Sequence, residues 1–315
     1  MKESAWAQAL KSSVSLAALF AGRGRNPFVA APSAQISSGF TLVGPDRVKA
    51  PSGLRRQPLV VVQQEIQCPR LDAEAISEIE TDDADTVTRH LDPAYLPGAK
   101  AGQFRFGTTY IYKPKDEALL AGRLGDVGES TQREVFASRS GFVADGSIAG
   151  LKLENVKLVG RDRSVAIEYS VNDHCSCLSR GDFDSTRAEV LRSKGNGDLG
   201  AYVTYDLGRL KAALRALISE IDEFRGYTVI GRSVTYGTKD RVWLVEEQFQ
   251  HKEQRDPLAI WLGTTFVKAM EYQHEDEFRL LIVDPERVGR LPREASYHLF
   301  EDSRISDAIV ASGTF

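Results

Sequence analysis

Residues 195–224 read GNGDLGAYVTYDLGRLKAALRALISEIDEF and contain the clearest transition from strand to helix in the chain. A glycine-rich turn leads into residues 201–205, whose β-branched and aromatic side chains favour a strand. From residue 207 onward, apolar side chains recur every three or four positions, which predicts an amphipathic helix over 207–224. Because the apolar stripe of such a helix must be covered, we expect the strand and the helix to share one core.

Strands outnumber helices in the rest of the chain, and many of them follow one another directly. A second helix is predicted at about 257–271, and the acidic residues 72–92 favour helix or solvated loop. Strands are predicted within 57–71 and at 104–112, 150–158, 164–170, 175–179, 201–205, 227–236, 242–245 and 277–283. This order indicates an α+β protein with a mixed, mainly antiparallel sheet and a few flanking helices. The glycine motifs of Rossmann and P-loop enzymes are absent from the sequence.

Charge is unevenly distributed along the chain. Its 315 residues carry a net charge of -4, yet residues 1–56 contain eight basic and only two acidic residues. The rest of the chain is therefore acidic, which argues against a protein held to nucleic acid mainly by phosphate contacts. We expect a basic leader, 1–56, followed by a single α+β domain, 57–315, with its core at about 100–285.

The leader has several interpretations that the sequence leaves open. It is a disordered extension, a secretory signal peptide around residues 14–21, a transit-like or type III secretion leader, or a partner-binding helix. No run of eighteen apolar residues exists, so we expect no membrane-spanning helix. Three cysteines are too few for a disulfide framework, which favours a reducing compartment. We therefore expect a cytoplasmic protein, or an effector secreted through its leader.

The sharpest candidate site is the segment HEDEFRLLI, residues 274–282. Alternation along a strand places Glu275, Glu277 and Arg279 on one face, opposite an apolar face. Two carboxylates on one face repel each other, which raises a pKa or prepares the pair to bind a sugar hydroxyl. The alternative is a solvated strand end with an ion pair between Glu277 and Arg279.

Two further segments are candidates for binding. In FRFGTTY, residues 104–110, an inward-pointing Arg105 would make paired hydrogen bonds to a phosphate, and the alternative is an arginine stacked on aromatic side chains. In HCSCLS, residues 174–179, the two cysteines beside a histidine invite a zinc interpretation, but no second Cys/His pair exists to complete four ligands. No metal is favoured there, and the alternatives are buried small residues or a thiol nucleophile.

Several short motifs, taken in order, resemble those of a little-characterised family of bacterial domains of unknown function, some of them encoded near defence genes. They are Cys177-Leu178-Ser179, GAYVTYD at 200–206, Val234-Thr235-Tyr236, and Lys268 followed by Tyr272, Glu275, Glu277 and Arg279. The resemblance covers about residues 100–285. The chain departs from the family pattern at 190–193, where Trp-x-x-Tyr is usual, and it lacks the usual Asn-Asp-Pro loop.

The layout is also similar, more distantly, to that of the ADP-ribosyltransferases, which implies a split sheet and NAD as the substrate. Carried over residue by residue, the similarity implies that Glu277 and Glu275 are catalytic and that Arg105 binds the pyrophosphate. The remaining NAD-binding residues that it implies are Thr108, Tyr110, Ser179 and Tyr202. The separation between Ser179 and Glu277 is long for an Arg-Ser-Glu toxin, so the helix at 207–224 would be an insertion or the normal helix of the poly(ADP-ribose)-polymerase-like branch.

The resemblance predicts an ADP-ribosyltransferase-like enzyme that modifies a protein or nucleic acid as a toxin, secreted effector or defence protein. An antitoxin, a chaperone or a secretion partner would bind residues 1–56. Two other classes remain open. One is a non-catalytic binding or regulatory module of a bacterial defence system. The other is a metal-dependent nuclease that binds Mg²⁺ through Asp126, Glu129, Glu275 and Glu277.

Overall fold

The fold is given by a computed structural model. It describes residues 42–43, 59–65, 68, 70–80, 84–109, 131–138, 141–148, 151–159, 163–194, 198–238, 241–244, 247–249, 257–291 and 296–315. Tyr110, Asp126, Glu129 and the glycine-containing loop around them lie outside the described residues.

The described residues form eighteen strands and six α-helices. The strands are β1 (Leu42–Val43), β2 (Leu59–Glu65), β3 (Thr86–Leu91), β4 (Gln103–Thr108), β5 (Thr131–Ser138), β6 (Gly141–Ile148), β7 (Leu151–Val159), β8 (Arg163–Ser170), β9 (His174–Arg180), β10 (Ala201–Asp206), β11 (Thr228–Ser233), β12 (Thr235–Tyr236), β13 (Arg241–Leu244), β14 (Glu247–Phe249), β15 (Val267–Lys268), β16 (Glu277–Val283), β17 (Tyr297–Glu301) and β18 (Ile309–Thr314). The helices are α1 (Ala73–Ile79), α2 (Leu96–Lys100), α3 (Ser185–Lys194), α4 (Leu207–Glu220), α5 (Pro257–Phe266) and α6 (Ser303–Asp307). Short 3-10 turns lie at Pro93–Tyr95, Asp222–Phe224 and Met270–Glu275.

The described strands build one large sheet and several smaller ones. The large sheet has eight strands, of which six follow the order β11-β16-β9-β3-β10-β18, and β17 is attached through β4 to β9. All of its pairings are antiparallel. A second sheet, β1-β2-β8-β5-β13, mixes parallel and antiparallel pairs. The predicted α+β class with a mainly antiparallel sheet is confirmed.

Strand β9 divides the large sheet into two arms. Along one side it pairs with β16 over most of its length. Along the other side it pairs with β4 at Cys175 and His174, and with β3 at Ser179 and Arg180. The two arms therefore leave β9 at opposite ends, and the stretch 176–178 lies between them. We call this place the fork.

One face of the large sheet packs against α4. The predicted helix begins at Leu207, where the side chain of Asp206 accepts a hydrogen bond from the Arg209 backbone N–H at 2.8 Å, a common helix cap. Apolar residues of the stripe, including Leu210 and Leu214, are completely buried against the sheet. The helix ends at Glu220, and a 3-10 turn carries the chain to residue 224. The sequence-predicted helix of 207–224 therefore consists of these two pieces.

The opposite face of the sheet packs against α5 and α1. Trp261 of α5 is completely buried, in a cluster that also contains Leu281 of β16 and Tyr169 of β8. Because both faces of β16 are covered, all seven of its residues are buried, the charged ones included. Helix α5 ends at Phe266 rather than at the predicted residue 271, because the chain there enters the short strand β15.

Other predicted boundaries also changed. The segment 72–92, predicted as helix or loop, contains helix α1 and the complete strand β3, whose Val87 and Thr88 are both buried. The polar sequence of β3 gives no strand pattern, and its residues are buried because strands pair with it on both sides. Strand β1 lies inside the predicted leader and pairs with β2, with Leu42 opposite Val62.

Candidate functional site

The segment that enters β16 makes a sharp corner. A 3-10 turn ends at Glu275, and Asp276 follows with φ 43° and ψ 54°, in the left-handed region. Aspartate tolerates this region better than most residues because its short polar side chain bonds locally. Strand β16 then begins at Glu277. The corner therefore separates the two predicted catalytic residues by one left-handed residue rather than by a simple strand step.

A buried cluster of charges surrounds this corner. The Lys268 ammonium donates to Glu275 Oε2 at 2.6 Å and to Glu277 Oε2 at 3.0 Å. Arg279 Nε donates to Glu277 Oε1 at 2.6 Å, so that both oxygens of Glu277 accept from cations. The four residues are 1–8% exposed. Glu277 and Arg279 do form the ion pair considered from the sequence, but the pair is buried and not at a solvated strand end.

Hydrogen bonds from neighbouring strands fix the backbone of both glutamates. Ser179 lies opposite Glu277 in the β9–β16 ladder, and its hydroxyl donates to the Glu275 carbonyl at 2.9 Å. The Tyr236 hydroxyl accepts from the Glu277 backbone N–H at 2.7 Å. Tyr236 reaches this place because β12 pairs with β15, which sets it beside Lys268.

The two carboxyl groups have pKa values shifted in opposite directions. Burial, supported by the neighbouring charge of Glu277, raises the pKa of Glu275 to about 7, although the Lys268 ammonium opposes the change. Burial by itself would also raise the pKa of Glu277, but the charges of Arg279 and Lys268 outweigh it and hold that pKa well below its usual range. The cations thus favour the ionised form of Glu277, whereas burial favours the protonated form of Glu275, an arrangement typical of acid–base pairs.

The cysteines of β9 lie beside this cluster. Cys177 is partly exposed, pairs with Arg279 in the ladder, and has its sulfur 3.8 Å from that of Cys175. The hydrogen bond with Cys175 and burial raise the pKa of the Cys177 thiol, which weakens it as a nucleophile. His174 lies on the other face of the sheet, against the rings of Phe224 and His298. The described residues contain no group of three or more His, Cys, Asp or Glu placed to hold a metal ion.

Of the predicted NAD-binding residues that the structure describes, one lies at the corner and three lie elsewhere in the sheet. Ser179 joins both glutamates at the corner, as described above. Arg105 is exposed instead of pointing inward, and its guanidinium lies 4.5 Å above the Tyr297 ring. Thr108 is buried on the opposite face of β4, against Ser296. Tyr202 lies on β10, two strands beyond β9, and stacks on Phe183 at 3.9 Å.

Arg105 nevertheless shares a face with the charged cluster. In the ladders, Gly107 pairs with Cys175, which pairs in turn with Leu281, so these three side-chain positions lie on one face. Positions two residues apart repeat that face, which brings Arg105 and Glu277 to the same side of the sheet. One strand, β9, separates their strands. They are therefore not on adjacent strands, and Arg105 borders the fork from the β4 arm.

Most of the family-like motifs meet at the corner. Lys268 and Tyr236 belong to those motifs but had no role assigned from the sequence, and the Lys268 ammonium also lies 4.7 Å above the ring of Tyr272. Asp206, by contrast, is the cap of α4 and belongs to the fold. Asp276 could not be singled out from the sequence, because an acidic residue inside an acidic segment has no distinctive pattern.

No family model, curated protein or solved structure matches the chain. In the described part of the chain, every helix is too short or too polar to cross a membrane. The charged cluster at the corner is therefore the main guide to function.

Proposed function

We propose that the protein is an ADP-ribosyltransferase-like enzyme that cleaves the bond between nicotinamide and ribose in NAD and transfers ADP-ribose to a macromolecule. One observation carries the proposal. The carboxyl groups of Glu275 and Glu277 share one buried ammonium, that of Lys268, at 2.6 and 3.0 Å. A shared cation holds two carboxyl groups close together, so that one can stabilise developing charge while the other moves a proton.

Each glutamate has a distinct task in this reaction. When the bond to nicotinamide breaks, its electron pair leaves with the ring and positive charge develops on the ribose. Glu277, ionised by its two cations, would stabilise that charge through the ribose hydroxyl groups. Glu275 would accept the proton of the acceptor group as the new bond to ribose forms. A carboxyl with a pKa of about 7 suits proton transfer at neutral pH.

The fork is the place where we expect the dinucleotide to lie. The arms that begin with β3 and β4 part along residues 176–178 of β9, where Cys177 is partly exposed. The exposed guanidinium of Arg105 on the β4 arm has the planar geometry that matches a pyrophosphate. Ser179 of β9 and Glu277 of β16, which pair in the ladder, lie on the same face as Arg105. The NAD would thus span the strand from the arginine to the carboxyl pair.

The target and the cellular setting also belong to this proposal. We place the enzyme in the cytoplasm, or in a host cell if residues 1–56 act as a secretion leader. An antitoxin, a chaperone or a secretion partner would bind those same residues. The acceptor is a protein or a nucleic acid.

A non-catalytic regulatory module is the second candidate, and two observations favour it. Both oxygens of Glu277 already accept from cations, and Arg105 has an aromatic partner in Tyr297. In that case the charged cluster stabilises the fold only. For a nuclease, by contrast, the two glutamates would first have to give up Lys268 and Arg279 to bind Mg²⁺.

Labelled NAD provides the test. The full chain would be incubated with NAD labelled in the adenylate and with a bacterial or host-cell lysate, and both nicotinamide release and label transfer measured. We expect Glu275→Gln to lose at least about 100-fold in rate, since general bases typically contribute that much. Glu286→Gln is the matched control, because Glu286 forms an exposed ion pair with Arg70.

The outcomes separate the two candidates. Loss of turnover in Glu275→Gln and Glu277→Gln with normal folding supports the transferase. If wild type releases no nicotinamide and transfers no label, the transferase is ruled out and the regulatory module takes its place. If wild type is active and Glu275→Gln is equally active, the catalytic role given to Glu275 is wrong.

A further inference from the structure

The corner between the two glutamates requires a conformation that aspartate adopts rarely. Asp276 is the only non-glycine residue with positive φ in the part of the chain that the structure describes. Such conformations persist only where the surroundings enforce them, and they concentrate at functional sites. Aspartate tolerates this region better than most residues, and contacts with neighbouring elements add to that local preference at Asp276.

Two arginines hold it. Arg180 Nη2 lies 3.0 Å from one oxygen of the Asp276 carboxylate, and Arg187 Nη1 lies 3.2 Å from the other. The Arg180 backbone N–H also donates to the Asp276 carbonyl at 2.7 Å. The side chain and the main chain of this one residue are therefore both tied to the end of β9 and the start of α3.

Arg187 is itself fixed by its surroundings. Its guanidinium donates to the carbonyls of Arg180 at 2.9 Å and Asp182 at 3.1 Å, and its side chain is only 11% exposed. The Asp184 side chain accepts from the Arg187 backbone N–H at 3.1 Å, which anchors the first turn of α3. A rigid arginine positions its partner better than a mobile one, because less freedom is lost on pairing.

The geometry points to a positioning role, which rests on the proposed function because it concerns the same site: Asp276, clamped by Arg180 and Arg187, turns Glu275 back onto Lys268. An extended residue 276 would continue the β9–β16 ladder past Arg180 and carry Glu275 away from the ammonium. With the left-handed corner, the ladder stops and the Glu275 carboxyl reaches Lys268. Asp276 thus sets the proton-accepting state of Glu275 without touching substrate itself.

The environment of Glu275 gives a readout that needs no substrate. The charged or titratable groups that face it are Lys268 of β15, Glu277 of β16 and Tyr236 of β12. The pKa of Glu275 is raised to about 7 from 4.5 chiefly by burial. If the corner opens, the carboxyl gains solvent and its pKa falls towards 4.5.

Three variants of Asp276 separate the backbone from the clamp. Asp276→Asn keeps a residue that tolerates the left-handed region, and its single amide oxygen can still accept from one of the two arginines, so we expect the Glu275 pKa to stay within about half a unit of wild type. Asp276→Gly keeps the backbone freedom but loses the clamp, and Asp276→Ala loses both. For the alanine variant we expect a fall of at least about one pKa unit, a tenfold change in protonation equilibrium.

The measurement is a pH titration of the full chain labelled with ¹³C at glutamate carboxyls, with the Glu275 signal identified by its loss in Glu275→Gln. Asp222→Ala is the control, because it removes an exposed ion pair with Arg225 elsewhere in the fold. A folded Asp276→Ala with the wild-type Glu275 pKa would overturn the inference. If that variant does not fold, equal Glu275 pKa values in the glycine and asparagine variants overturn it, and a lower value for glycine supports it.

The NAD assay on the same proteins keeps the two proposals distinguishable. A Glu275 pKa that responds to Asp276 in a protein without NAD turnover would leave the positioning role intact and remove the transferase. NAD turnover together with a Glu275 pKa that does not change in the Asp276 variants would support the transferase and overturn the positioning role. When both hold, Asp276→Asn retains turnover while Asp276→Ala shifts its pH profile towards lower pH.

Discussion

Replacement of Lys268 by methionine tests the charged cluster most directly. Methionine resembles lysine in length and is easily accommodated in a core, but it removes the ammonium that both glutamates share. Arg279 remains on Glu277 at 2.6 Å, so the lost partner matters most to Glu275. The variant therefore leaves one buried carboxyl, Glu275, without its cation.

The expected cost follows from the geometry. At 2.6 and 3.0 Å, each ion pair is worth roughly 5.5–6.5 kcal/mol at an effective dielectric constant of about 20, before the desolvation that offsets most of it. Removing one partner of a buried ion pair typically costs about 3–5 kcal/mol. We expect that loss in the free energy of unfolding of Lys268→Met at pH 8.

The pH dependence has a definite sign. Lys268 lowers the pKa of Glu275, so its removal raises that pKa further above 7. Below that pH the carboxyl takes up a proton and no longer needs the cation. The destabilisation should therefore be smaller at pH 6 than at pH 8, by at least about 1 kcal/mol.

Urea unfolding measured by tryptophan fluorescence is a suitable assay, since Trp261 is completely buried. Adding Glu275→Gln to Lys268→Met should restore about 2 kcal/mol at pH 8, because the uncompensated charge is gone. The matched control is Lys211→Met: Lys211 is another buried lysine, 3.0 Å from Glu80, which also keeps Arg215 at 2.7 Å. Equal destabilisation of Lys268→Met at both pH values, or no gain in the double variant, would refute the reasoning.

Three further predictions concern stability. The raised pKa of Glu275, about 7, stabilises the wild type fully only below pH 4.5, and this stabilisation is lost as the pH rises through 7. The free energy of unfolding of Glu275→Gln should therefore rise relative to that of wild type between pH 4.5 and 8, by at most about 3 kcal/mol; urea midpoints that change in parallel would contradict this. Trp261→Phe removes the indole N–H that donates to buried Asp173 at 2.8 Å, and burial raises the pKa of Asp173 to about 7. The variant should lose about 1–3 kcal/mol in the free energy of unfolding in urea, and more at pH 8, where Asp173 is ionised, than at pH 6; equal losses would argue against the bond. In Gly102→Ala, at φ +92°, the new Cβ would clash with the Asp302 carbonyl oxygen, and the variant should lose more than about 2 kcal/mol of stability in thermal unfolding. Gly226→Ala has a similar φ, +88°, but open space around the Cβ, so it should lose only about 1 kcal/mol; equal losses would refute the role of the clash.

The sequence predicted the fold best where one residue pattern had one explanation. Strand 277–283 has the predicted bounds, and the apolar stripe of α4 is buried as expected, because alternation and helical spacing are local properties. Strand β3 escaped prediction because its sequence, TVTRHL, is polar, and its burial comes from neighbours on both sides. Helix α5 ended early because β12 supplied a strand partner for residues 267–268.

The candidate site was predictable only in part. Glu275 and Glu277 stood out because two carboxylates at a strand entrance are unusual, and Ser179 followed from a resemblance. Lys268 belonged to the same motif, but its role depends on a distance that sequence spacing does not provide. Arg105 was the weakest prediction, since its exposure depends on the course of the β4 arm.

The sequence by itself determined the α+β class, strand β16 and the segment that carries the two glutamates, because these depend on periodicity and residue type over a few positions. Only the tertiary structure decided the charge states of that pair. Lys268 comes from β15, Arg279 from β16, and the clamp on Asp276 from β9 and α3. Electrostatic energy in a buried site depends on distances of a few ångströms and on the exclusion of water, and both arise only when separate strands and helices pack together.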